Sequence, residues 1–250
     1  MSELPEVYSD NILNLSAATV SIASGDYAAT KKRLYDYRTA RQWTADSAAA
    51  QTISADAGNS IAIDALAIAN HNLSGVALTF TGSGDPAFPA PTTIDSWTPA
   101  DNGDQLRRVS VATFRYFRLS VAAAAQAASI GELHIGPRLQ FPVNPSIPHD
   151  TGREIDLSEV RISRHGRKTA RQRFKKKQIR LRLAMMSEAE YEPLKTWWKS
   201  VRTFKPFFYA FNPATEPEDV VFVRNANPRF RCPLKGPIRT LLELLFEQVR

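Results

Sequence analysis

Short runs of alternating apolar and polar residues, separated by turn signals, dominate the first half of the chain. From Phe114 to Leu119, aromatic and aliphatic residues alternate with arginine, which is typical of a strand that buries one face. Ile130 to Ile135 is a short apolar run, and Ala18 to Ala23 predicts a further strand. Turn signals rich in Gly, Asn and Asp separate such runs at residues 58–59, 82–86 and 101–104. Many short strands with frequent turns predict a β-sandwich.

The second half of the chain is also rich in strand patterns. Ile179 to Met185 places apolar residues at odd positions and arginines between them, which predicts a strand with one buried face. Val220 to Arg224 predicts another strand, and Leu241 to Glu247 fits either a strand or a short helix. The proline-studded stretch at 139–152 predicts an extended connector. We therefore predict a mainly β chain with a first domain at 1–138, the connector at 139–152 and a second module at 153–250.

One amphipathic helix is predicted in the second module. Ser187 and Glu190 have the spacing of a capping box, which marks a helix start. The apolar residues that recur at helical intervals are Tyr191, Leu194, Trp198 and Val201, with Phe204 as a further candidate. Pro193 conflicts with a start at Ser187, because its ring removes a helical hydrogen bond. A start near Glu192, with Pro193 in the first turn, is the alternative.

Composition places the chain among ordinary globular proteins. Of 250 residues, 43% are hydrophobic and 23% are charged, and no run of about eighteen apolar residues exists for a transmembrane helix. The acidic N-terminus lacks the apolar core of a secretory signal. The single cysteine, Cys232, excludes an internal disulfide and fits synthesis in a reducing cytosol.

Charge is distributed unevenly between the two halves. Residues 1–140 hold 10 basic and 13 acidic residues, whereas residues 141–250 hold 22 basic and 12 acidic ones. A dense basic run without acidic residues extends from Arg161 to Arg182. We interpret it as a partner interface rather than a nucleic-acid site, since it interleaves a single aromatic, Phe174, with its charges. The predicted interface residues are Arg164, Arg167, Lys168, Arg171, Arg173, Lys175, Lys176 and Lys177.

A tryptophan pair on the predicted helix adds a candidate anchor. Because a short helix has one buried face, Trp197 and Trp198 cannot both point inward. One of them is expected to meet a partner, and we include Trp197 in the predicted interface.

Signals of catalysis are missing from the sequence. The four histidines, His71, His134, His149 and His165, show no metal-ligand spacing. There is no Gly-x-Ser-x-Gly, no phosphate-binding glycine loop and no dinucleotide fingerprint. We expect no enzyme activity, no cofactor and no metal.

The ordered motifs of residues 30–136 resemble the discoidin family, whose fold is a galactose-binding-like jelly roll. The resemblance rests on the loop from Asp36 to Trp43, the element Thr52 to Gly58, the turn Gly82 to Asp85, and the two runs at 114–119 and 130–135. It implies an N-terminal jelly roll, in which Trp43 plugs the sandwich. It also implies loops at one end that contact glycan in many relatives. The candidate glycan contacts are Arg38, Arg41, Asp85 and Trp97.

The second half resembles distal-tail and baseplate proteins of long-tailed bacteriophages. The resemblance lies in the order of a strand, a helix bearing Trp197-Trp198, the phrase Lys205 to Phe208, an acidic turn at 216–219 and a β-rich end. It implies a virion structural protein, made in the host cytoplasm, that forms a homo-oligomeric ring and attaches other tail or baseplate proteins. DNA would only pass through the lumen, and no membrane insertion is expected. The alternatives are a carbohydrate-binding adhesin of host glycan and a nucleic-acid-binding protein that uses residues 161–182.

Overall fold

The protein forms two compact units. The structure, a computed structural model, describes residues 4–24, 28–145, 150–162, 164–165, 167–216, 219–235 and 238–249. Unit 1 comprises Met1–Gln140 and Phe207–Phe222, and unit 2 comprises Phe141–Pro206 and Val223–Arg250. The sequence-based boundaries at 138 and 152 stay a prediction. The compact units differ from them in that Phe207–Phe222 belongs to unit 1.

The chain is mainly β, as predicted, with one helix longer than a single turn among the described residues. The strands are β1 (Glu6–Tyr8), β2 (Thr19–Ile22), β3 (Trp43–Thr44), β4 (Gln51–His71), β5 (Leu78–Ser83), β6 (Thr92–Trp97), β7 (Gln105–Val121), β8 (Ser129–Gly136), β9 (Leu139–Gln140), β10 (Asp150–Ile162), β11 (Lys168–Met186), β12 (Phe207–Ala210), β13 (Val220–Asn225), β14 (Leu234–Lys235) and β15 (Ile238–Gln248). The helices are α1 (Ala28–Lys31) and α2 (Glu188–Val201), with 3₁₀ turns at Ile12–Asn14 and Lys32–Leu34.

Unit 1 is built around one antiparallel sheet that encloses its own core. The strand order is β3-β8-β4-β7-β5-β6, and β2 pairs with the first half of β4. The two halves of β4 pair with different strands on one edge: residues 53–56 of β4 pair with β2, and residues 65–71 pair with β8. Buried residues of both halves, such as Ile53 and Leu66, belong to one apolar cluster. The sheet therefore folds over itself as a β-sandwich.

The bend in β4 lies between Asp56 and Ile61, where its register with β7 shifts. Gly58 adopts φ +80° at this point, and its N–H donates to the Asp56 carboxylate at 2.8 Å. A side chain at position 58 would also meet the Ala17 Cβ at 2.8 Å. Glycine is thus required both by the backbone conformation and by the close approach of residue 17.

The core of the sandwich contains the tryptophan that the family resemblance places there. Trp43 is fully buried, and it shares the apolar cluster with Phe80, Phe117 and Ile130. The rings of Phe80 and Phe117 are stacked with centroids 6.0 Å apart. Burying these aromatic side chains supplies much of the free energy that holds the two halves of the sheet together.

A second group of strands in unit 1, β9, β1 and β12, joins segments that are distant in sequence. β1 pairs with β9 on one side and with β12 on the other. The buried His134 of β8 makes edge contacts with Tyr8 of β1 and Phe208 of β12. The fully buried Glu6 carboxylate accepts a short hydrogen bond from the Tyr8 hydroxyl.

Two arginines compensate the buried charge of Glu6. Arg108 and Arg138 lie 3.5 and 3.4 Å from its Oε1 atom. Arg138 also binds Asp64 of β4 at 3.1 Å. A buried carboxylate is tolerated when it is paired and hydrogen-bonded in this way.

Unit 2 contains the strands β10, β11 and β15 and the second half of β13, which are neighbours in that order, and α2 packs on β15. Its helix buries Leu194, Trp197 and Val201. The Trp197 ring meets Phe141 and Phe246 at centroid distances of 5.8 and 6.3 Å. Residues 241–247 are part of strand β15, so the helical alternative for this segment is wrong.

The helix begins at Glu188, which makes the alternative start near Glu192 wrong. Ser187 is the N-cap, and its hydroxyl and the Glu190 carboxylate form a reciprocal capping box. Pro193 lies inside the helix. Its ring removes the donor for the Ala189 carbonyl, and the capping box and the buried apolar face offset that loss.

Candidate functional site

A long hairpin in unit 2 contains most of the predicted interface. β10 and β11 pair antiparallel from Arg153↔Gln178 to Ile162↔Lys168, and β11 pairs with β15 only from Gln178 onward. We call residues 153–162 and 168–178 the hairpin arm. At about 3.4 Å per residue it is about 30 Å long. The basic run is therefore a strand rather than a loop over most of its length.

Both edges of the hairpin arm lack a further strand within the part of the chain that the structure describes. β10 is the last strand of its sheet, and Lys168 to Lys176 of β11 have no second strand partner among the described residues. Near the tip, Ile162 is 64% exposed. Unpaired N–H and C=O groups along a strand edge form a template for pairing with another strand.

Acidic residues of β10 stand opposite basic residues of β11. The register pairs Glu154 with Lys177, Asp156 with Lys175 and Glu159 with Arg171. Oppositely charged residues directly across two strands stabilise the pair modestly. Residues 150–186 still contain 12 basic and 4 acidic residues, whereas the rest of the chain is close to neutral. The hairpin therefore holds essentially all of the net positive charge.

The predicted interface residues take different positions on this hairpin. Arg164, Arg167 and Lys168 are exposed near its tip, and Lys176 and Lys177 are half-buried near its base. The backbone positions of Arg171, Arg173 and Lys175 are on β11. Of the four histidines named from the sequence, His149 lies outside the described residues. The structure thus gathers the basic part of the prediction on one element.

Trp197 does not belong to an outer surface. It is only 5% exposed and packs inside unit 2, so the prediction that it anchors a partner is wrong. Trp198 is the more exposed of the two, and its ring lies 5.3 Å from Phe230. Trp197 lies on the same buried face of α2 as Leu194 and Val201.

The four predicted glycan contacts do not converge on one site. Asp85 follows Ser83, at the end of β5 that pairs with Tyr116. Trp97 pairs with Leu78 at the opposite end of β5. The six residues of β5 separate these ends by about 17 Å.

The remaining two glycan candidates lie on another loop. Arg38 and Arg41 are exposed between the second 3₁₀ turn and β3. That loop is tied to other strands, because the Asn70 amide donates to the Thr39 carbonyl at 2.6 Å and the Tyr37 N–H donates to Glu132 at 3.0 Å. Trp97 is instead covered by Arg107, whose guanidinium lies 5.5 Å from the ring and binds Asp95 at 2.7 Å.

A polar face that the sequence did not single out covers the outside of the first half of the sandwich. Inward residues of these strands, such as Val20, Ile53 and Phe117, are buried, so their neighbours point outward. Of thirteen outward positions, eleven have hydroxyl side chains. We call this surface the hydroxyl face; Thr81 and Ser83 are buried within it, and its residues are Thr19, Ser21, Thr52, Ser54, Asp56, Thr79, Thr81, Ser83, Thr93, Ser96, Tyr116, Arg118 and Ser120.

The strand register aligns this face into rows. One row crosses four strands through Thr52, Ser120, Thr79 and Ser96. The next row crosses five strands through Ser21, Ser54, Arg118, Thr81 and Thr93. Such rows present hydrogen-bond donors and acceptors at the spacing between strands, about 4.8 Å.

Arg118 is fixed at the centre of the hydroxyl face. Its Nε donates to the Ser54 hydroxyl at 3.1 Å, and Phe88 lies over the guanidinium at 3.8 Å. Phe88 adopts φ +53°, an unusual conformation for a bulky residue. Beside it, Arg115 binds the Asp56 carboxylate through two hydrogen bonds of 2.9 and 3.0 Å, which lowers the pKa of that carboxyl.

No group of three His, Cys, Asp or Glu side chains that could hold a metal ion occurs in the described part of the chain. Within that part, no helix is long and apolar enough to cross a membrane. Burial lowers the pKa of His71, whose Nδ1 accepts from the Leu73 N–H at 3.1 Å.

Comparison with known proteins gives matches of fold only. No protein-family model and no curated protein matches the chain. Solved structures of similar fold cover about half of it. Chitosan-binding module 1 of a chitosanase/glucanase from Paenibacillus sp. IK-5 is 20% identical over 50% of this chain and 98% of the module, with a TM-score of 0.43.

Two further solved modules are similar at the same level. The module CpGH89CBM32-6 from Clostridium perfringens is 17% identical over 50% of this chain and 98% of its own, with a TM-score of 0.42. The CBM32 module of AlyQ, in complex with 4,5-unsaturated mannuronic acid, is 21% identical over 52% of this chain and 96% of its own, with a TM-score of 0.41. At this level the likeness is no guide to what this chain binds.

Proposed function

We propose that this protein is a structural protein of a long-tailed bacteriophage, located at the distal tail or baseplate, that acts by assembling into a ring of identical copies. The observation that carries the proposal is the hairpin arm, which is long, basic and open at both edges. A two-stranded ribbon is marginally stable by itself. A further strand that pairs with one of its edges stabilises the ribbon, and natural proteins rarely leave such edges uncovered.

The arm also favours a particular kind of contact. The outer edge of β10 and the outer edge of β11 are different surfaces of the same subunit. If one copy pairs its β10 with the β11 edge of the next, the contact is head to tail, and such contacts close into a ring when the rotation permits. The positive charge of the hairpin then lines one part of that ring, where it faces acidic partners or passing DNA.

Placement in a phage tail rests on the resemblance of the second half. The elements that support it occur in the expected order, with β11 followed by α2, β12, the acidic turn at 216–219 and β13. In this role the protein would attach neighbouring tail and baseplate proteins, and unit 1 would be an attached module.

Self-association of the full chain tests the assembly. We expect analytical ultracentrifugation to show a concentration-dependent oligomer and electron microscopy to show closed rings. Reversing two exposed charges between the two strands of the arm, Arg164→Glu with Arg167→Glu, should weaken the oligomer. The matched control is Lys199→Glu, an exposed basic residue on α2 that should leave it unchanged. A wild-type chain that stays monomeric at every concentration would contradict the proposal.

A second candidate function, carbohydrate binding by unit 1, is favoured by the hydroxyl face. Its side chains match the hydroxyl groups of a neutral glycan in hydrogen-bonding capacity, and Tyr116 and Arg118 offer larger contact surfaces. We expect calorimetric titration of the full chain with neutral oligosaccharides to detect binding that Tyr116→Ala abolishes. Phe204→Ala, which removes an exposed aromatic ring of unit 2, is the control. Absence of binding at millimolar sugar would exclude this candidate.

A further inference from the structure

An arginine-lined pocket in unit 2 lies apart from the hairpin arm. The segment between β13 and β14 is fixed on α2 by Phe230, whose ring stacks on Tyr191 at 5.9 Å and contacts Trp198. The Asn227 N–H donates to the Asn225 side chain, and the Arg229 N–H donates to the Asn227 side chain, both at 3.0 Å. These hydrogen bonds stabilise the backbone conformation of the segment. The segment is therefore an ordered support for the side chains that it presents.

The residues on either side of Phe230 line the pocket. Arg229 and Arg231 are exposed, and with Asn227 and Glu243 they surround a cavity of about 270 Å³. Phe230 packs on α2, whereas the side chains of Arg229 and Arg231 are exposed and line the pocket. Two guanidinium groups within two residues form a donor set suited to carboxylates or other oxyanions.

The charge of the pocket is not balanced within the described residues. Glu243 is already bound by Arg180 at 3.0 Å. No carboxylate of the described chain lies within ion-pair distance of Arg229 or Arg231. Three arginines thus surround one glutamate, and an additional anion would lower the electrostatic energy of the pocket.

An acidic turn of unit 1 has the complementary chemistry. Residues 216, 218 and 219 are all acidic, although Glu218 lies outside the described residues. The residues that lead to Glu216 form a turn of their own, in which the Thr215 and Glu216 N–H groups donate to the Asn212 carbonyl at 3.2 and 2.9 Å. Glu216 is exposed and, among the described residues, its carboxylate has no partner. Unit 1 has 10 basic and 16 acidic residues, whereas unit 2 has 22 and 9.

We propose that the Arg229–Arg231 pocket binds the acidic turn around Glu216 of a second copy of this chain. This inference rests on the proposed assembly function and names one of its contacts. Pocket and turn are different surfaces, so the contact between copies is head to tail, as a ring requires. Opposite charge on the two surfaces steers the encounter and fixes its register.

Charge reversal followed by mixing tests this contact on the full chain. One variant has Arg229→Glu with Arg231→Glu, and the other has Glu216→Arg. Each alone should raise the dissociation constant of self-association about tenfold or more. An equimolar mixture should recover wild-type affinity, because each variant then meets its complement in the other. Circular dichroism and thermal melting of each variant control for the fold.

The outcomes separate this contact from the assembly itself. If wild-type chain assembles and both variants assemble equally well, the pocket contact is wrong and the assembly function stands. Loss of assembly in each variant without recovery in the mixture also overturns the contact, since general charge effects would explain it. If the pocket variant loses affinity for DNA and keeps its self-association, the pocket is a phosphate site instead. A monomeric wild-type chain overturns the proposed function as well.

Discussion

The backbone N–H of Tyr37 donates a hydrogen bond of 3.0 Å to the carboxyl group of Glu132, 95 residues further along the chain. Glu132 is 1% exposed, and Tyr37 adopts the unusual φ of +63°. Burial raises the pKa of the Glu132 carboxyl well above its ordinary value, and nearby Asp36 adds to the effect. Burial, with Glu132 and Asp10, raises the pKa of Tyr37 to about 12. A buried acid thus fixes the loop that presents Arg38 and Arg41.

This pair gives the protein a defined pH dependence. Because the folded-state pKa of Glu132 is raised, the folded chain holds that proton more tightly than the unfolded chain does. Its contribution to stability is complete below the ordinary glutamate pKa and is lost as pH rises through the folded-state pKa. We expect the stability advantage of wild type over Glu132→Gln to shrink steadily as pH rises over that window, as measured by urea unfolding. An advantage independent of pH would contradict this.

Removal of the buried indole should be costly. Trp43→Ala leaves a large void in the core of the sandwich, and we expect the free energy of unfolding to fall by about 3–5 kcal/mol. Phe204→Ala removes an aromatic ring that is 72% exposed and should change stability by less than about 0.5 kcal/mol. Chemical unfolding of the two variants side by side measures the difference, and similar losses would show that residue 43 is not a core position.

The paired carboxylate of Glu6 should matter more than a pair at the surface. Glu6→Ala leaves the Tyr8 hydroxyl without its acceptor and Arg108 without its buried partner. We expect a loss of about 3–5 kcal/mol in the free energy of unfolding. Glu192→Ala removes an exposed carboxylate that binds Lys195 at 2.7 Å, and its cost should stay below about 1 kcal/mol. Equal losses in thermal unfolding would contradict a role for burial.

The capping box should hold the start of α2. Ser187→Ala removes the hydroxyl that accepts from the Glu190 N–H, and we expect a loss of about 1 kcal/mol. Ser187→Asp retains an acceptor at the cap and serves as the control. Comparison of their urea midpoints measures the effect, and a Ser187→Ala variant as stable as wild type would mean that the helix start depends on packing alone.

Local patterns predicted the elements whose signals are contained in a few residues. The strand at 18–23 and the capping box at Ser187 are of this kind, and both occur in the structure. The strand β10 and the basic part of β11 escaped prediction. The basic part of β11 shows no apolar alternation, and the alternation in β10 is interrupted between Leu157 and Val160, where the register with β11 shifts. Their backbone pairing, such as Glu154 opposite Lys177, joins residues more than twenty positions apart and is not visible in a local pattern.

The candidate sites depended even more on long-range geometry. The sequence around Arg118 shows the alternation of a strand. It does not show that Arg118 lies in one row with Ser21 and Thr93, because that row depends on the register of five strands. The glycan candidates do not come together for the same reason, since the family pattern did not show that Asp85 and Trp97 lie at opposite ends of β5. Trp197 and Trp198 are adjacent, so which of them faces the core depends on how the helix is placed. Pro193 left the start of the helix open in the sequence, and the buried residue of the pair could not be chosen.

The pairing of β1 with β12 has a consequence for the order in which the protein is made. Glu6 stands opposite Ala210, so the ribosome must add about two hundred residues before the first strand finds its neighbour. Contacts of such sequence separation form late, because closing a long loop costs entropy before any contact repays it. The sandwich and the core of unit 1 have all their strands earlier in synthesis. A nascent chain stalled before residue 207 would therefore hold a nearly complete sandwich beside an N-terminal strand still lacking one neighbour, which a chaperone could recognise.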